Sequence, residues 1–460
     1  MFSTPNTNNN PGKPSDSRLA STARGLPSFA YLLYTALLGC LVFSGTAQAV
    51  PSFARQTQLQ CAACHTAYPQ LNAFGRKFKL QGYTLQSGQV SPLMRLSAML
   101  QPSYTHTAKD QAGGAAEHFG DNNNVALTQA SVFYGGRLVS DYDKLGGFVQ
   151  VTYDGIGRSL AWDLADFRWA TTGTMAGKSM TWGFDLNSAP SVQDLWNTTP
   201  VWSYPFSGSG LAPGPAAGTL ISDPLIGTVA GLGAYASWDD TLYLEANLYK
   251  TLSPGFLKAM GVNGVDYEIN GVAPYWRLAL EKTQGQNYFE AGTFGLVADT
   301  YPGRDHSLGA TDRFTDVGLD AMYQYTGAMS TFTGRATYVH ERQKLGYSIL
   351  SGDASNLKNS LNTLGLSGSY LYDRTYGVDL SYNHINGTAD MNLYGGSPDS
   401  NYVTVQLNWL PFNKQAGPGA PYDTFDPKLS LQYTAYQKFD GSTSGASDND
   451  TLYLQGWLAF

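Results

Sequence analysis

Cys61-Ala62-Ala63-Cys64-His65 is the stretch of this chain whose residue types and spacing can do chemistry. C-x-x-C-H is the attachment pattern of a c-type haem. The two thiols form thioethers with the haem vinyl groups, and the adjacent imidazole reaches the iron as proximal ligand. A redox dithiol has no use for the following histidine. A structural zinc needs about four ligands, and no other Cys and no nearby His-x-x-x-His supplies them. The chain holds three cysteines, and the third, Cys40, lies in a segment with the features of a leader. Cys61, Cys64 and His65 are therefore the expected cofactor residues, holding one covalently bound haem c.

A haem needs elements to position it. Lys13, Arg18 and Arg24 precede an apolar run from Phe29 to Phe43, followed by Ala47-Gln48-Ala49. This reads as a secretory signal over residues 1–49, with a mature start at Val50. The run is too short for a comfortable membrane span. A lipoprotein reading of Leu37-Leu38-Gly39-Cys40 is opposed by the apolar residues that continue after Cys40. Export agrees with the haem motif, because c-type haem is attached outside the bacterial cytoplasm.

Residues 50–91 form a small α-helical cytochrome unit in this reading. Pro69 is the expected start of a helix, with Leu71, Phe74 and Phe78 on one face to cover the haem and Gly82 at its end. The unit contains Arg55, Arg76, Lys77 and Lys79 and no acidic residue. About 40 residues are too few for a good core, so the unit needs the haem and a surrounding wall.

Residues 92–460 change to a period of two. Sixteen alternating segments centre on 93–105, 124–138, 143–153, 160–170, 178–188, 225–237, 241–251, 274–283, 286–298, 312–326, 329–342, 361–371, 374–385, 401–411, 428–438 and 451–460. Their length and alternation suit tilted membrane strands. Connections after odd segments are mostly long and those after even segments mostly short, as in outer-membrane barrels. Two depart: 154–159 is short, and the Gly/Pro-rich 412–427 is long on the side of the short turns. Charged residues make up 14% and aromatics 13% of the chain, against about 25% charge in soluble domains. The expected fold is all-β, a 16-stranded transmembrane antiparallel β-barrel with the haem unit lodged in it. Leu452, Leu454, Gly456, Leu458 and Phe460 share one face of the last segment, a terminus suited to outer-membrane assembly. Without residues 1–49 the net charge is −9, which argues against a nucleic-acid partner.

The sixth iron ligand is expected to be Met99, which shares an inward phase with Arg95, Ser97 and Gln101 while Met94, Leu96, Ala98 and Leu100 face lipid. His106 is the second candidate. His306, His340 and His384 are expected to be wall or loop residues. Asp110, Glu117, Asp121, Asp299, Asp305 and Asp312 lie in or beside the long loops, where hard cations would find oxygen ligands, although loop acids are commonly only solvated. Trp196, Trp202, Tyr204 and Phe206 lie in the third external loop, a long one, which is expected to fold into the lumen near the haem.

Pro51 to Thr57, Cys61 to His65, Phe74 to Tyr83 and, in the third external loop, Val192 to Pro200 together resemble the fused cytochrome-porin of iron-oxidising bacteria. The resemblance covers the chain from Val50 onward. It implies oxidation of extracellular Fe(II) at the outer membrane, with the electron passing through the haem to a periplasmic soluble cytochrome or copper protein. The physical logic agrees. An apolar band about 25 Å tall is too wide for one fast electron hop without a cofactor inside it. The basic unit would attract haem propionates and raise the reduction potential. Rival readings are a conduit for another donor or acceptor, a diffusion porin gated by the haem unit, and a secreted cytochrome fused to a β-rich adhesion module.

Overall fold

The computed structural model describes residues 52–86, 90–222, 224–263, 267–413 and 425–460. Residues 1–51, which include the expected leader, and most of the 412–427 connection lie outside them. Each of the sixteen alternating segments is a strand. They are β1 Leu96–Thr107, β2 Asn124–Arg137, β3 Leu145–Asp154, β4 Ser159–Met175, β5 Lys178–Asn187, β6 Val229–Trp238 and β7 Leu242–Thr251. After a short β8, Tyr267–Ile269, come β9 Ala273–Gln284, β10 Asn287–Pro302, β11 Asp312–Thr326, β12 Ser330–Leu345 and β13 Lys358–Tyr372. The last four are β14 Tyr376–Gly387, β15 Ser400–Trp409, β16 Asp426–Lys438 and β17 Thr451–Ala459. The long strands pair antiparallel with their neighbours, and β1 pairs with both β2 and β17, which closes a 16-stranded barrel. Phe460 exchanges backbone hydrogen bonds with Ala98, 2.9 and 2.6 Å, at the closing seam. Three-residue β8 pairs with the far end of β10 and is too short for alternation to mark it.

The pleat explains why these sequences form a wall. In β16, Lys428, Ser430 and Gln432 are buried while Leu429, Leu431 and Tyr433 are exposed. Leu232, Leu248, Leu280, Leu319 and Leu380 repeat the outward apolar face on other strands. Trp182, Phe289, Phe332, Tyr372, Tyr376 and Trp409 are exposed near the short turns, forming an aromatic belt. A closed barrel with an apolar outer face satisfies every backbone group in lipid, so the protein is an integral outer-membrane β-barrel. Among the described residues no helix is long and apolar enough to cross a membrane.

Two segments fill the lumen. One is the N-terminal plug, residues 52–86, with helices α1 Ser52–Thr57 and α2 Ala73–Leu80. The other is the β5–β6 connection. Plug hydrogen bonds reach the wall on several sides: Tyr83 Oη donates to Asp166 (2.5 Å), Gln70 to Thr333 (2.5 Å), Tyr68 Oη to the Asp426 carbonyl (2.9 Å), and Arg137 Nε to the Thr84 carbonyl (2.7 Å). Small residues let it approach. A Cβ at Gly146 would lie 2.1 Å from the Gly82 carbonyl oxygen, and one at Gly136 would lie 2.0 Å from Gln56 Oε1. Arg137 ends β2, and the plug's Lys77 pairs with Asp240 in the β6–β7 turn at 3.6 Å. The plug therefore sits at the short-turn end, the periplasmic end in barrels of this type.

Helix α2 corrects one expectation. It begins at Ala73, not Pro69, because the backbone reverses through an antiparallel His65–Leu71 bridge and Asn72 then supplies the cap. Leu71 is thus outside the helix, and helical spacing does not bind it to Phe74. Phe78 is buried, whereas Phe74 is 43% exposed. Gly82, at φ +76°, follows the helix as expected.

The β5–β6 connection enters the lumen, as its aromatics indicated. Val192, Leu195 and Trp196 are buried, and Lys79 Nζ of the plug donates to the carbonyls of Val192 and Asp194, both at 2.8 Å. Arg277 of β9 contacts Asp194 at 3.5 Å, Glu290 at 3.2 Å and Asp320 at 2.6 Å, all fully buried. Further along the loop, Leu220, Ile221 and Leu225 pack against Tyr249, Phe294 and Val339.

Candidate functional site

The C-x-x-C-H segment forms a tight turn. A 3-10 turn runs Cys61–Ala63, and the Cys61 carbonyl accepts from the amides of Cys64 (3.1 Å) and His65 (2.9 Å). Asn72 ties this turn to α2. Its amide donates to the Cys64 carbonyl (2.9 Å), its Nδ2 to the Ala63 carbonyl (2.9 Å), and its Oδ1 accepts from the Gly75 amide (3.0 Å). Gly75 permits the closest approach, since a Cβ there would lie 2.2 Å from the Cys64 oxygen. Gly75→Ala is expected to destabilise the plug by about 1–3 kcal/mol, the usual cost of overpacking. The check is faster proteolysis within residues 52–86 with an unchanged strand signal in circular dichroism.

Cys61, Cys64, His65 and Met99 line one cavity of about 260 Å³ between the plug and the wall. The remaining walls are mostly apolar and aromatic. Phe53 and Tyr83 stack at 5.7 Å, with Phe78 edge-on to both, while Phe133 and Phe148 come from β2 and β3. Trp202 and Asn197 of the lumen loop and Trp457 of β17 complete it.

Both thiols are half-buried and free of any disulfide. Burial pushes the Cys64 thiol up to about 11 and lowers the His65 imidazole to about 4. His65 is thus neutral near pH 7, the form that ligates metal. Its Nδ1 is buried with no hydrogen bond meeting it, although the carbonyls of Pro69 and Gln70 lie close enough to favour the charged ring. Two thiols, an imidazole and a thioether line one largely apolar cavity, a donor set compatible with a c-type haem.

Met99 is buried on the inward phase of β1 with Gln101 and Ser103, and Leu96 is exposed; Met94, exposed, and Arg95, buried, lie in the 3-10 turn Pro92–Arg95 that precedes the strand. Gln101 Nε2 donates to Met99 Sδ at 3.3 Å, and Gln455 Nε2 donates to Gln101 Oε1 at 2.9 Å. The sequence reading missed this pair, as it missed Asn72 and Gly75. The inward polar phase of β1 and β17 was the available signal for the glutamines. His106 lies on the opposite phase from Met99, where Nδ1 meets Asn123 Oδ1 at 3.0 Å, so it does not reach the cavity.

The loop acids do not converge. Asp299 pairs with Arg313 at 3.1 Å. Asp305 accepts from Ser307 and Tyr347, and Asp312 accepts from the amides of Tyr347 and Ser348. Among the described residues no group of three or more His, Cys, Asp or Glu side chains could hold a metal ion.

No family model matches this chain, and no curated protein matches it. Solved outer-membrane structures resemble it at low identity. The outer membrane channel DcaP of Acinetobacter baumannii aligns at 14% identity and TM-score 0.46, over 79% of this chain and 96% of that one. An anion-selective porin from Comamonas acidovorans gives 11% and 0.44, over 79% and 98%. OmpT of Vibrio cholerae gives 10% and 0.41, over 79% and 96%.

Proposed function

We propose that the chain is an outer-membrane electron conduit. In this reading Cys61 and Cys64 would hold one haem c, and His65 and Met99 would be the side chains that ligate its iron. It takes electrons from extracellular Fe(II) and delivers them to a periplasmic soluble cytochrome or copper protein. One observation carries the reading: the C-x-x-C-H turn and Met99 line a single apolar cavity at the short-turn end of a closed barrel. The haem supplies one-electron transfer.

The chain's own residues do the rest. The aromatic walls exclude water. Lys79, which lines the cavity, and Arg76 beside it on α2 bring positive charge that favours the reduced state. The plug and the β5–β6 loop occupy the lumen together, which favours a conduit over a diffusion porin. Liposome swelling with small sugars is the direct measure of that choice, and little swelling is expected.

The test uses protein purified in detergent, oxidised, and mixed anaerobically with Fe(II). Rapid growth of the haem α band supports the reading. A haem that stays oxidised with Fe(II) but reduces with dithionite turns it towards another donor. Met99 has its own test. A Met/His axial pair raises the potential of a c-type haem, so Met99→His is expected to lower the midpoint potential. Met99→Leu is expected to open the iron to added cyanide. Unchanged potential and ligand binding in both variants would remove Met99 from the site.

A further inference from the structure

A second cavity, of about 480 Å³, lies between the β5–β6 loop and strands β12 to β17. Its lining contains serine, threonine and asparagine side chains and no Asp, Glu or Lys. Arg335 of β12 is the single Arg among the lining residues. It is 7% exposed, and its Nε, Nη1 and Nη2 have no hydrogen-bond partner. The rings of Tyr204 and Phe206 lie 5.2 and 5.6 Å from the guanidinium. Cation–π contact of that kind offsets part of the cost of burying the charge but supplies no hydrogen-bond acceptor to the N–H groups. Asp379, an acid nearby, is engaged by Gln406 (3.1 Å) and Asn408 (2.7 Å) and does not line the cavity. Trp202 adds a second buried donor without an acceptor, its Nε1–H, on the same lining.

A buried, unpaired guanidinium is costly unless something supplies acceptors. The planar fork of Arg matches a carboxylate or phosphate better than a spherical ion. We infer that Arg335, with Trp202 on the same lining, is a lumen site for a small oxyanion of the carboxylate or phosphate class. This goes beyond the electron-conduit reading and does not need it. Two sources share the chemistry. One is a free anion entering from the loop side. The other is a propionate of the proposed haem, because Asn197 and Trp202 line both cavities; that source alone rests on the haem reading.

The experiment is titration calorimetry of the purified full-length, haem-loaded protein in detergent with inorganic phosphate and with acetate. The midpoint potential is measured on the same samples. The wild type is expected to bind phosphate or acetate with a Kd of about 1 mM or tighter. Arg335→Gln is expected to weaken that binding at least about tenfold, and Arg335→Lys, which keeps the charge without the fork, to weaken it less. Equal circular dichroism spectra establish that the variants keep the barrel. No binding in the wild type, with a potential that shifts in Arg335→Gln but not in Arg335→Lys, identifies the propionate as occupant. No binding with an unchanged potential overturns the site, and so does Arg335→Gln protein that binds as tightly as the wild type.

Discussion

Protein carrying Cys61→Ser together with Cys64→Ser is expected to assemble as a barrel and to carry no covalent haem. Fe(II)-dependent reduction should then be lost entirely. The argument begins with the thiols. They are the two cysteines among the described residues, neither is in a disulfide, and both line the 260 Å³ cavity. A hydroxyl in place of each sulfur makes no thioether. The wall does not depend on them, because it closes through the β1–β17 pairing and through outward apolar faces far from the plug. The plug also keeps its seat, since Tyr68, Lys79 and Tyr83 reach the lumen without using either cysteine. The loss should therefore be chemical and not a folding failure. Mass spectrometry of denatured protein reads covalent haem directly, and the α band reads the response to Fe(II). Each single variant should retain one thioether and an intermediate yield. A double variant that holds haem through denaturation, or that answers Fe(II) like its parent, refutes the assignment.

The wall was legible because lipid on one side and a polar lumen on the other impose strict alternation. Lys428, Ser430 and Gln432 against Leu429, Leu431 and Tyr433 state that rule in six residues. The inward phase of Met99 follows from the same alternation; His106, kept as second candidate from the sequence, was removed only by its contact with Asn123 outside the cavity. The plug was harder to read. Spacing from Pro69 suggested a helix, but the backbone turns back there, and the helix waits for Asn72 to cap it. Propensity carries no information about such a tertiary reversal. Gly75 and Asn72 were in view as letters, yet their roles depend on how closely α2 meets the C-x-x-C-H turn. The lumen clusters were invisible for a related reason. Asp194 and Arg277 are 83 positions apart, and only the inward fold of the β5–β6 loop makes them partners.

That inward fold is the target of the second large effect. Arg277→Met is expected to release the first half of the β5–β6 loop, near Asp194 to Thr199, while leaving the barrel closed. Arg277 is the shared cation of three buried carboxylates, Asp194, Glu290 and Asp320. Without it those groups are left uncompensated, and breaking a buried pair costs about 3–5 kcal/mol. The second half of the loop should stay in place. Leu220, Ile221 and Leu225 are each buried against the wall, and each such side chain contributes about 1.5–3 kcal/mol, so their sum matches or exceeds the electrostatic loss. Partial release uncovers the 260 Å³ cavity, because Asn197 and Trp202 form part of its lining. Liposome swelling by small sugars should rise, and limited proteolysis should cut near residue 200. A companion variant, Asp194→Asn with Arg277→Met, removes one of the stranded charges and should recover part of the loop's protection. If Arg277→Met resists protease and swells liposomes no faster than the parent, the apolar half alone holds the loop, and the Arg277 cluster is not what closes the lumen.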